Sequence, residues 1–264
     1  MKHPKVSIVT SVFNGAEYLE ETILSVLNQT YDNIEYIIID GGSTDSSVDI
    51  IKKYENRLAY WTSEKDNGMY DGIAKGFEHA TGEICAYINS DDFYQPTAIQ
   101  TVVEIMTEKP YIKWLSGMQV LYNSKSTIVN AFLQIPQSSE QIRKRLFPIQ
   151  QEVTFWSREL HKSIDWDKFR SFRLAGDYYM WVCFSNVTEH YVVRAILSGF
   201  RRHGNQLSAN YSKYKAELDT FCSKTTVLDI IKKAFVTLVF FKAPKLYWRN
   251  KYILTWDFSA NKYV

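Results

Sequence analysis

The sequence predicts an α/β fold in which a mostly parallel sheet carries helices on both faces. Over the first hundred residues, short apolar runs of strand length alternate with stretches whose apolar residues recur at helical spacing. This alternation requires crossover connections between parallel strands, which place helices on the faces of the sheet. The length of 264 residues allows one such domain with an appendage.

The elements of the alternating region follow from local patterns. Leu19, Ile23 and Val26 recur at helical spacing, and Pro96 is suited to the start of a later helix. The predicted strands span 5–12, 34–39, 58–61 and 84–88, and the predicted helices span 16–28, 45–54, 70–79 and 97–107.

Beyond Pro110 the pattern changes. A turn signal at Asn123-Ser124-Lys125 joins two predicted strands into a hairpin. The predicted strands of this region span 114–122, 127–133, 152–156 and 192–196, and its predicted helices span 139–146 and 177–184. We therefore divide the chain into residues 1–110, residues 111–211 and an extension at 212–264.

Composition excludes several classes of protein. A net charge of +2 does not indicate nucleic-acid binding. Three cysteines without close spacing argue against a disulfide framework or a zinc site, and they fit a reducing compartment. We find no signal peptide and no run of the ~18 apolar residues that a membrane span needs, so we expect a cytoplasmic protein.

Polar residues follow all four predicted strands of the first region. Ligands of open parallel sheets bind beyond the carboxyl ends of the strands, so these loops are expected to meet at one rim. The loops contain Thr10, Ser11 and Asn14 after the first strand, 40–45 after the second, 64–68 after the third and 89–92 after the fourth. The dinucleotide fingerprint and the P-loop are both missing from these positions.

Asp91 and Asp92 suggest a metal. Adjacent carboxylates that leave a buried strand repel each other unless a cation lies beside them, and hard oxygen ligands favour Mg²⁺ or Mn²⁺. The alternative is a solvated turn, or Asp92 as the cap of the following helix.

Several stretches together resemble the family 2 glycosyltransferases, continuously over about residues 5–105. The resemblance implies a Rossmann-like GT-A fold, an enzyme that mostly inverts the sugar configuration, and a nucleotide-sugar donor. The stretches are Val6-Ser7-Ile8-Val9-Thr10, Asn14-Gly15, residues 25–31, residues 37–45, and Thr81-Gly82-Glu83 leading to Asn89-Ser90-Asp91-Asp92.

The resemblance also implies roles for individual residues. Thr10 and Asp40 match positions that hold the base and ribose, and Asp91 and Asp92 match the metal motif. The other residues expected to bind the nucleotide-sugar are Ser11, Asn14, Lys65, Asp66, Asn67, Asn89 and Asp91. Two departures stand out: Asn89 occupies a position where the motif often begins with Asp, and Asp40-Gly41 replaces the commoner Asp-Asp.

The second half resembles the acceptor-binding half of the family more loosely. Asp177 matches the position of the general base, and Gly176 before it is expected to permit a tight turn. The alternative is an acid that merely stabilises the first turn of its helix. Residues 200–208 resemble a late flexible loop, in which His203 either completes the metal shell, contacts the diphosphate or is a surface residue.

The implied reaction moves one sugar from a nucleotide-sugar, with UDP expected by resemblance, to a glycan or a polyprenyl-diphosphate-linked acceptor in surface polysaccharide synthesis, for example of O-antigen or capsule. The Q-x-x-R-W signature of processive synthases is missing. The alternatives are a sugar nucleotidyltransferase, whose Gly-rich first loop is not seen after Val12, and an inactive nucleotide-sugar-binding module.

The extension contains a basic amphipathic segment. Apolar residues recur at helical spacing, and Asp229 is its single acid. Its basic residues are Lys224, Lys232, Lys233, Lys242, Lys245, Arg249 and Lys251. Such a helix suggests peripheral association with the inner face of the cytoplasmic membrane; the alternative is a helix packed on the domain with a basic outer face.

Overall fold

A computed structural model describes residues 3–204, 211–242 and 250–264. The first region alternates strands and helices as predicted and adds a short strand, β5. Its elements are β1 (Val6–Val12), α1 (Ala16–Leu27), β2 (Ile34–Asp40), α2 (Ser47–Lys53), β3 (Tyr60–Ser63), α3 (Met69–His79), β4 (Ile84–Tyr87), β5 (Phe93–Tyr94) and α4 (Ala98–Glu108).

The remainder of the chain contains more elements than predicted, among them a helix at 166–171 that the sequence patterns did not reveal. The elements are β6 (Trp114–Asn123), β7 (Ile128–Phe132), α5 (Ser139–Arg143), β8 (Thr154–Ser157), α6 (Trp166–Ser171), α7 (Gly176–Ser185), β9 (Tyr191–Arg202), α8 (Tyr211–Leu218), α9 (Val227–Lys242), β10 (Ile253–Leu254), β11 (Trp256–Asp257) and β12 (Lys262–Tyr263).

The strands form one large sheet in the order β10-β9-β6-β8-β4-β1-β2-β3. β1 pairs in parallel with β2 and β4, and β2 pairs in parallel with β3. β8 runs antiparallel to both of its neighbours, β4 and β6, and joins the two halves of the sheet. The prediction of an α/β fold with a mostly parallel sheet is therefore confirmed.

The strands at the centre of the sheet are buried on both faces, which explains their continuous apolar sequences. Helix α3 packs very closely on β1, because a Cβ on Gly76 would lie 2.4 Å from a methyl group of Val9. In the second half, the ring planes of Trp114 and Trp181 stack at 5.6 Å between centroids, and both rings are fully buried. One apolar core thus underlies both halves.

Strand β9 is longer than the predicted 192–196. Its apolar pattern breaks at Ser198-Gly199, yet the strand continues to Arg202 because it pairs in parallel with β6 as far as Asn123. Gly199 is needed there, since a Cβ would lie 2.5 Å from the Phe93 ring and 2.6 Å from the Tyr122 ring. This continuation carries the chain from the core of the sheet to the site described below.

The prediction described 212–264 as a helical extension. The structure has two helices there, α8 and α9, but the end of the chain is not helical. Its end is β-structured because β10 pairs in parallel with β9 at the edge of the main sheet, while β11 and β12 form a small hairpin. Residues 243–249 of the basic segment, which runs from Lys224 to Lys251, lie outside the described residues. No helix in the described ranges is both long and apolar enough to cross a bilayer.

Candidate active site

The loops after the parallel strands meet at one rim, as expected. Asp66 lies between two glycines: a Cβ on Gly41 would be 2.8 Å from its Oδ2 atom, and a Cβ on Gly72 would be 3.0 Å away. The Gly72 Cβ would also lie 2.5 Å from the hydroxyl of Ser11. Asp66 accepts a hydrogen bond from Gly68 N, and burial raises the pKa of its carboxyl. The rim therefore presents a half-buried carboxylate beside Ser11 in a space that only glycines leave open.

Asp40 organises the neighbouring loop. Its carboxylate has no exposed surface and accepts hydrogen bonds from the backbone N–H groups of Gly42 and Ser43 and from the hydroxyls of Ser43 and Ser63. Gly42 adopts a positive φ of 83°, which suits glycine. A carboxylate with four donors shapes the loop, and a direct contact with a ribose or base stays a prediction.

Two other predicted nucleotide contacts differ in exposure. Thr10 is fully buried, and its hydroxyl lies 3.1 Å from the hydroxyl of Tyr36. It therefore links β1 to β2 inside the sheet. Asn14 is exposed, with a left-handed φ of 51°, and its side-chain oxygen accepts a hydrogen bond from Thr44 N. Asn14 thus ties the β1–α1 loop to the β2–α2 loop.

Lys65 and Asn67 lie on the exposed loop after β3. Asn67 donates from its backbone N–H to the carboxylate of Asp71, which also pairs with Arg170 of α6 at 3.0 Å. This anchors the loop, while the Lys65 side chain is exposed above the rim.

Asp91 and His203 form the candidate metal pair. His203 Nε2 lies 2.8 Å from Asp91 Oδ2, and the imidazole ring packs on Tyr18 of α1 at 5.2 Å between centroids. Both side chains are partly exposed, with 27% of Asp91 and 15% of His203 accessible. Residues 205–208 of the predicted late loop lie outside the described residues. Within the described ranges, no cluster of three or more His, Cys, Asp or Glu side chains could hold a metal.

Asp92 lies in a different environment from Asp91, and its role as a metal ligand stays a prediction. It is 1% exposed, with Oδ1 accepting from Arg201 N at 3.0 Å and Oδ2 accepting from the amide of Asn89 at 3.2 Å. Burial, together with the neighbouring Asp91 charge, raises its pKa well above the usual value. The two aspartates therefore have different environments, since Asp92 is buried and Asp91 is partly exposed.

Arg201 links four parts of the chain around this loop. Its guanidinium donates to Asp91 O, to Ser126 of the β6–β7 turn and to Glu21 of α1, and it lies 4.5 Å from the centre of the Tyr18 ring. It is 1% exposed, so these contacts replace its hydration. Nothing in the sequence pattern near Arg201 indicated this role, because its partners are distant in the chain.

Asp177 opens helix α7 as predicted. Its Oδ1 atom accepts from Tyr178 N at 2.7 Å and from the Tyr70 hydroxyl at 3.2 Å. Among the described residues, Oδ2 accepts no hydrogen bond. Burial raises the pKa of Asp177 to about 6. The partly exposed carboxylate is thus oriented through one oxygen and open at the other, as a general base near neutral pH should be.

The predicted tight turn does not explain why a glycine stands at position 176, because the φ of Gly176 is not positive. A Cβ at Gly176 would lie 2.6 Å from the ring of Tyr70, whose hydroxyl also donates to Leu174 O. The glycine therefore lets α3 of the first half approach the residue that precedes Asp177.

Glu217 of α8 was missed by the sequence reasoning. Its carboxylate accepts hydrogen bonds from three consecutive backbone N–H groups, those of Arg173, Leu174 and Ala175, at 2.8–2.9 Å. These groups form the turn directly before α7. Because such bonds to a carboxylate are charge-assisted, Glu217 holds the turn that orients Asp177.

A second missed acid is Glu152, which is buried next to Gln119. It is 2% exposed and accepts a 2.5 Å hydrogen bond from Gln119. Burial raises its pKa to about 7, and the charges of Asp177 and Asp91 add to this effect. The charge of Glu152 therefore interacts electrostatically with both the candidate base and the candidate metal ligand.

A cavity of about 690 Å³ is lined by His203, the partner of Asp91, and by Gln119, the partner of Glu152. Its walls are largely apolar, its polar groups include Gln119 and Gln150, and His203 lies at its edge beside Arg202. Its apolar lining consists of Leu121, Phe132, Leu133, Ile135, Phe147, Pro148 and Phe200. Aromatic walls with a few convergent amide groups are suited to a sugar ring or another small ligand.

Comparison with curated proteins finds glycosyltransferases. The chain is 28% identical over 239 residues to an uncharacterised glycosyltransferase of Rickettsia typhi, covering 86% of this chain and 74% of that one. An uncharacterised glycosyltransferase of Nostoc sp. is 32% identical over 141 residues, with 52% and 44% covered. TuaG of Bacillus subtilis, whose name assigns it to teichuronic acid biosynthesis, is 30% identical over 138 residues, with 51% and 54% covered. The chain thus spans about half the length of several relatives.

Solved structures show the same fold. The mannosyltransferase PcManGT of Pyrobaculum calidifontis, solved with GDP-Man and Mn²⁺, superposes with a TM-score of 0.61 at 14% identity, covering 93% of this chain and 72% of that one. S. aureus TarS in complex with UDP-GlcNAc gives a TM-score of 0.56 at 19% identity, with 78% and 60% covered. The expected GT-A fold is confirmed.

The family model described as "Glycosyl transferase family 2" matches residues 7–156, which include the rim loops and both aspartates of the candidate metal motif. This match covers more than half of the chain and agrees with the relatives and with the fold. The protein is a member of glycosyl transferase family 2.

Proposed function

We propose that the protein moves one sugar from a nucleotide-sugar, first of all a UDP-sugar, to an acceptor hydroxyl with inversion of configuration. One observation carries the proposal: His203, which pairs with Asp91, lines a cavity large enough for a sugar. The buried Glu152 interacts electrostatically with both Asp91 and Asp177, and the pKa of Asp177 is raised to about 6. Residues 1–110 would bind the donor and residues 111–211 the acceptor.

The donor set fits a divalent metal that is completed by substrate. Asp91 and His203 supply one carboxylate and one imidazole, and Mn²⁺ or Mg²⁺ commonly takes its further ligands from substrate phosphates and water. A metal bound there would neutralise charge on the leaving diphosphate. Asp92 and Arg201 would hold the Asp91 loop in place, and Asn89 would act through Asp92.

The acceptor hydroxyl would lose its proton to Asp177. The open Oδ2 atom is the accepting group, and the Tyr70 hydroxyl holds the other oxygen. The acceptor oxygen then forms the new bond to the anomeric carbon while the bond to the nucleotide diphosphate breaks on the opposite face of the sugar. The cavity described above is lined entirely by residues of the proposed acceptor half, and we call it the acceptor-side cavity. It would receive the acceptor sugar against its aromatic walls.

The acceptor class is proposed from the apolar walls of the cavity and the likeness to TuaG. A glycan carried on a polyprenyl diphosphate, used for a surface polysaccharide, has both a sugar and an apolar part. Such an acceptor would place the enzyme at the inner face of the cytoplasmic membrane.

The test is a thermal-shift screen with UDP-, GDP- and dTDP-sugars with and without Mn²⁺, followed by hydrolysis of the stabilising donor. We expect one donor to stabilise the protein in the presence of metal and to be hydrolysed slowly to the nucleoside diphosphate and free sugar. Release of pyrophosphate from sugar phosphate and nucleotide would instead identify a nucleotidyltransferase. Stabilisation without any hydrolysis or transfer would identify an inactive binding module.

A further inference from the structure

The apolar stripe of an ordinary surface helix faces the core. In helix α9 the apolar stripe faces outward instead. Six apolar side chains of α9 are more than half exposed and lie on one broad face. We call this set the α9 face: Val227, Leu228, Ile230, Ile231, Phe235 and Leu238, with exposed fractions between 56% and 74%.

The opposite side of α9 contacts the domain through polar groups. Asp229 is 2% exposed and pairs with Lys144 at 2.9 Å, and it also accepts from the backbone N–H and the hydroxyl of Thr226. Lys233 lies 5.7 Å from the centre of the Phe147 ring. The helix is therefore held by contacts that fix which side faces outward.

Exposed lysines flank the α9 face. Lys224, Lys232 and Lys233 are exposed, whereas the single acid of the segment, Asp229, is turned inward and neutralised by Lys144. An apolar surface flanked by lysines complements an anionic bilayer, because the apolar side chains enter the interface while the ammonium groups meet the lipid phosphates. A second copy would bring the same lysines against each other in a symmetric contact.

Helix α9 also lies close to the cavity, through the side that contacts the domain. Phe147, which contacts Lys233, is one of the residues that line the cavity. An enzyme held by α9 would therefore keep this cavity near the lipid surface.

We propose that the protein docks on an anionic membrane surface through the α9 face. This deepens the proposed function, on which it rests for its biological purpose, by naming the surface that meets a lipid-carried acceptor. The binding itself depends only on the residues of α9.

The test is flotation of the full chain with phosphatidylcholine vesicles, with and without phosphatidylglycerol. We expect binding to the mixed vesicles that weakens with added salt, and little binding to phosphatidylcholine alone. The double variant Ile231→Glu/Phe235→Glu should lose at least about tenfold in binding to the mixed vesicles. The control Val187→Glu/Phe258→Glu alters two apolar side chains outside α9 that are at least as exposed, and it should bind like the unaltered protein.

Three outcomes would overturn the proposal: no binding to anionic vesicles, equal binding by the α9 variant, or a dimer in light scattering that the α9 variant dissociates while vesicle binding is lacking. Unfolding temperatures should match in all three proteins because every altered side chain is exposed. Donor hydrolysis without vesicles is measured in parallel. Its failure would count against the transferase reaction, and it would leave the flotation result intact.

Discussion

The proposed donor side and the proposed base side of the site are built in different ways. On the donor side, Asp40 and Asp66 receive most of their hydrogen bonds from residues two or three positions later in the chain. On the base side, Asp177 is oriented by Tyr70, 107 residues away, and its turn is held by Glu217 of α8. The loops of the donor side are locally encoded, whereas the base depends on contacts between distant segments.

The largest expected effect is on the base. Asp177→Asn should lower turnover by about 10²–10⁴ while donor binding is kept, because the amide cannot accept the acceptor proton. Steady-state transfer rates and nucleotide titration calorimetry measure the two properties. Asp167→Asn, an exposed acid of α6, is the matched control and should have no effect. Near-full activity of Asp177→Asn would exclude it as the base.

The next comparison separates the two adjacent aspartates. Asp91→Ala should lower transfer by about 10²–10³ and abolish stabilisation by Mn²⁺, with an unchanged unfolding temperature in metal-free buffer. Asp92→Ala should instead destabilise the protein by about 1–3 kcal/mol, since the Arg201 N–H loses its buried acceptor. Urea unfolding and Mn²⁺ titration check this. A Mn²⁺ response lost in Asp92→Ala and kept in Asp91→Ala would reverse the assignment.

A smaller effect is expected at Glu217. Glu217→Gln should lower kcat roughly tenfold with little change in donor KM, because weaker bonds to the turn at 173–175 leave Asp177 less well oriented. The lost negative charge should also move the acidic limb of the pH–rate profile to lower pH, since Glu217 raises the pKa of Asp177. Asp219→Asn, which alters the exposed pair with Arg145, is the control. Loss of stability without a shifted limb would reduce Glu217 to a structural contact.

The smallest expected effect is on stability. The pKa of Asp177 is about 6, above its usual 3.8, so ionisation is harder in the folded protein than in the unfolded chain. Its contribution to stability is therefore present below about pH 4 and is lost as the pH rises through 6. Asp177→Asn should be more stable than the parent at pH 8 by about 1–3 kcal/mol and show no such gain at pH 4. Denaturant unfolding at both pH values measures this.

The sequence predicted most of the first half because its signals are local. Apolar runs of β1, β2 and β4 are interrupted by polar loops, so both the strands and the convergence of their ends could be expected. The different burial of Asp91 and Asp92 could not be predicted from the sequence, for a physical reason. Adjacent side chains leave the backbone in different directions, and only the position of β9 decides which one is covered.

The residues that sequence reasoning missed share one property: their partners are distant in the chain. Arg201, Glu152 and Glu217 stand in stretches without a motif, and each acquires its role from elements that lie far away. The end of β9 was missed because Ser198-Gly199 breaks the apolar pattern, although the partner strand β6 continues the pairing.

The position of α8 has a consequence for the modular use of this fold. The extension follows β9 in the chain, but its Glu217 supports the turn that precedes α7. A chimaera that exchanges acceptor-binding halves at residue 211 would therefore combine one protein's base with another protein's support for it. The smallest unit that can be transplanted with its own base includes α8 and ends near Cys222, where the chain bonds back to Leu218.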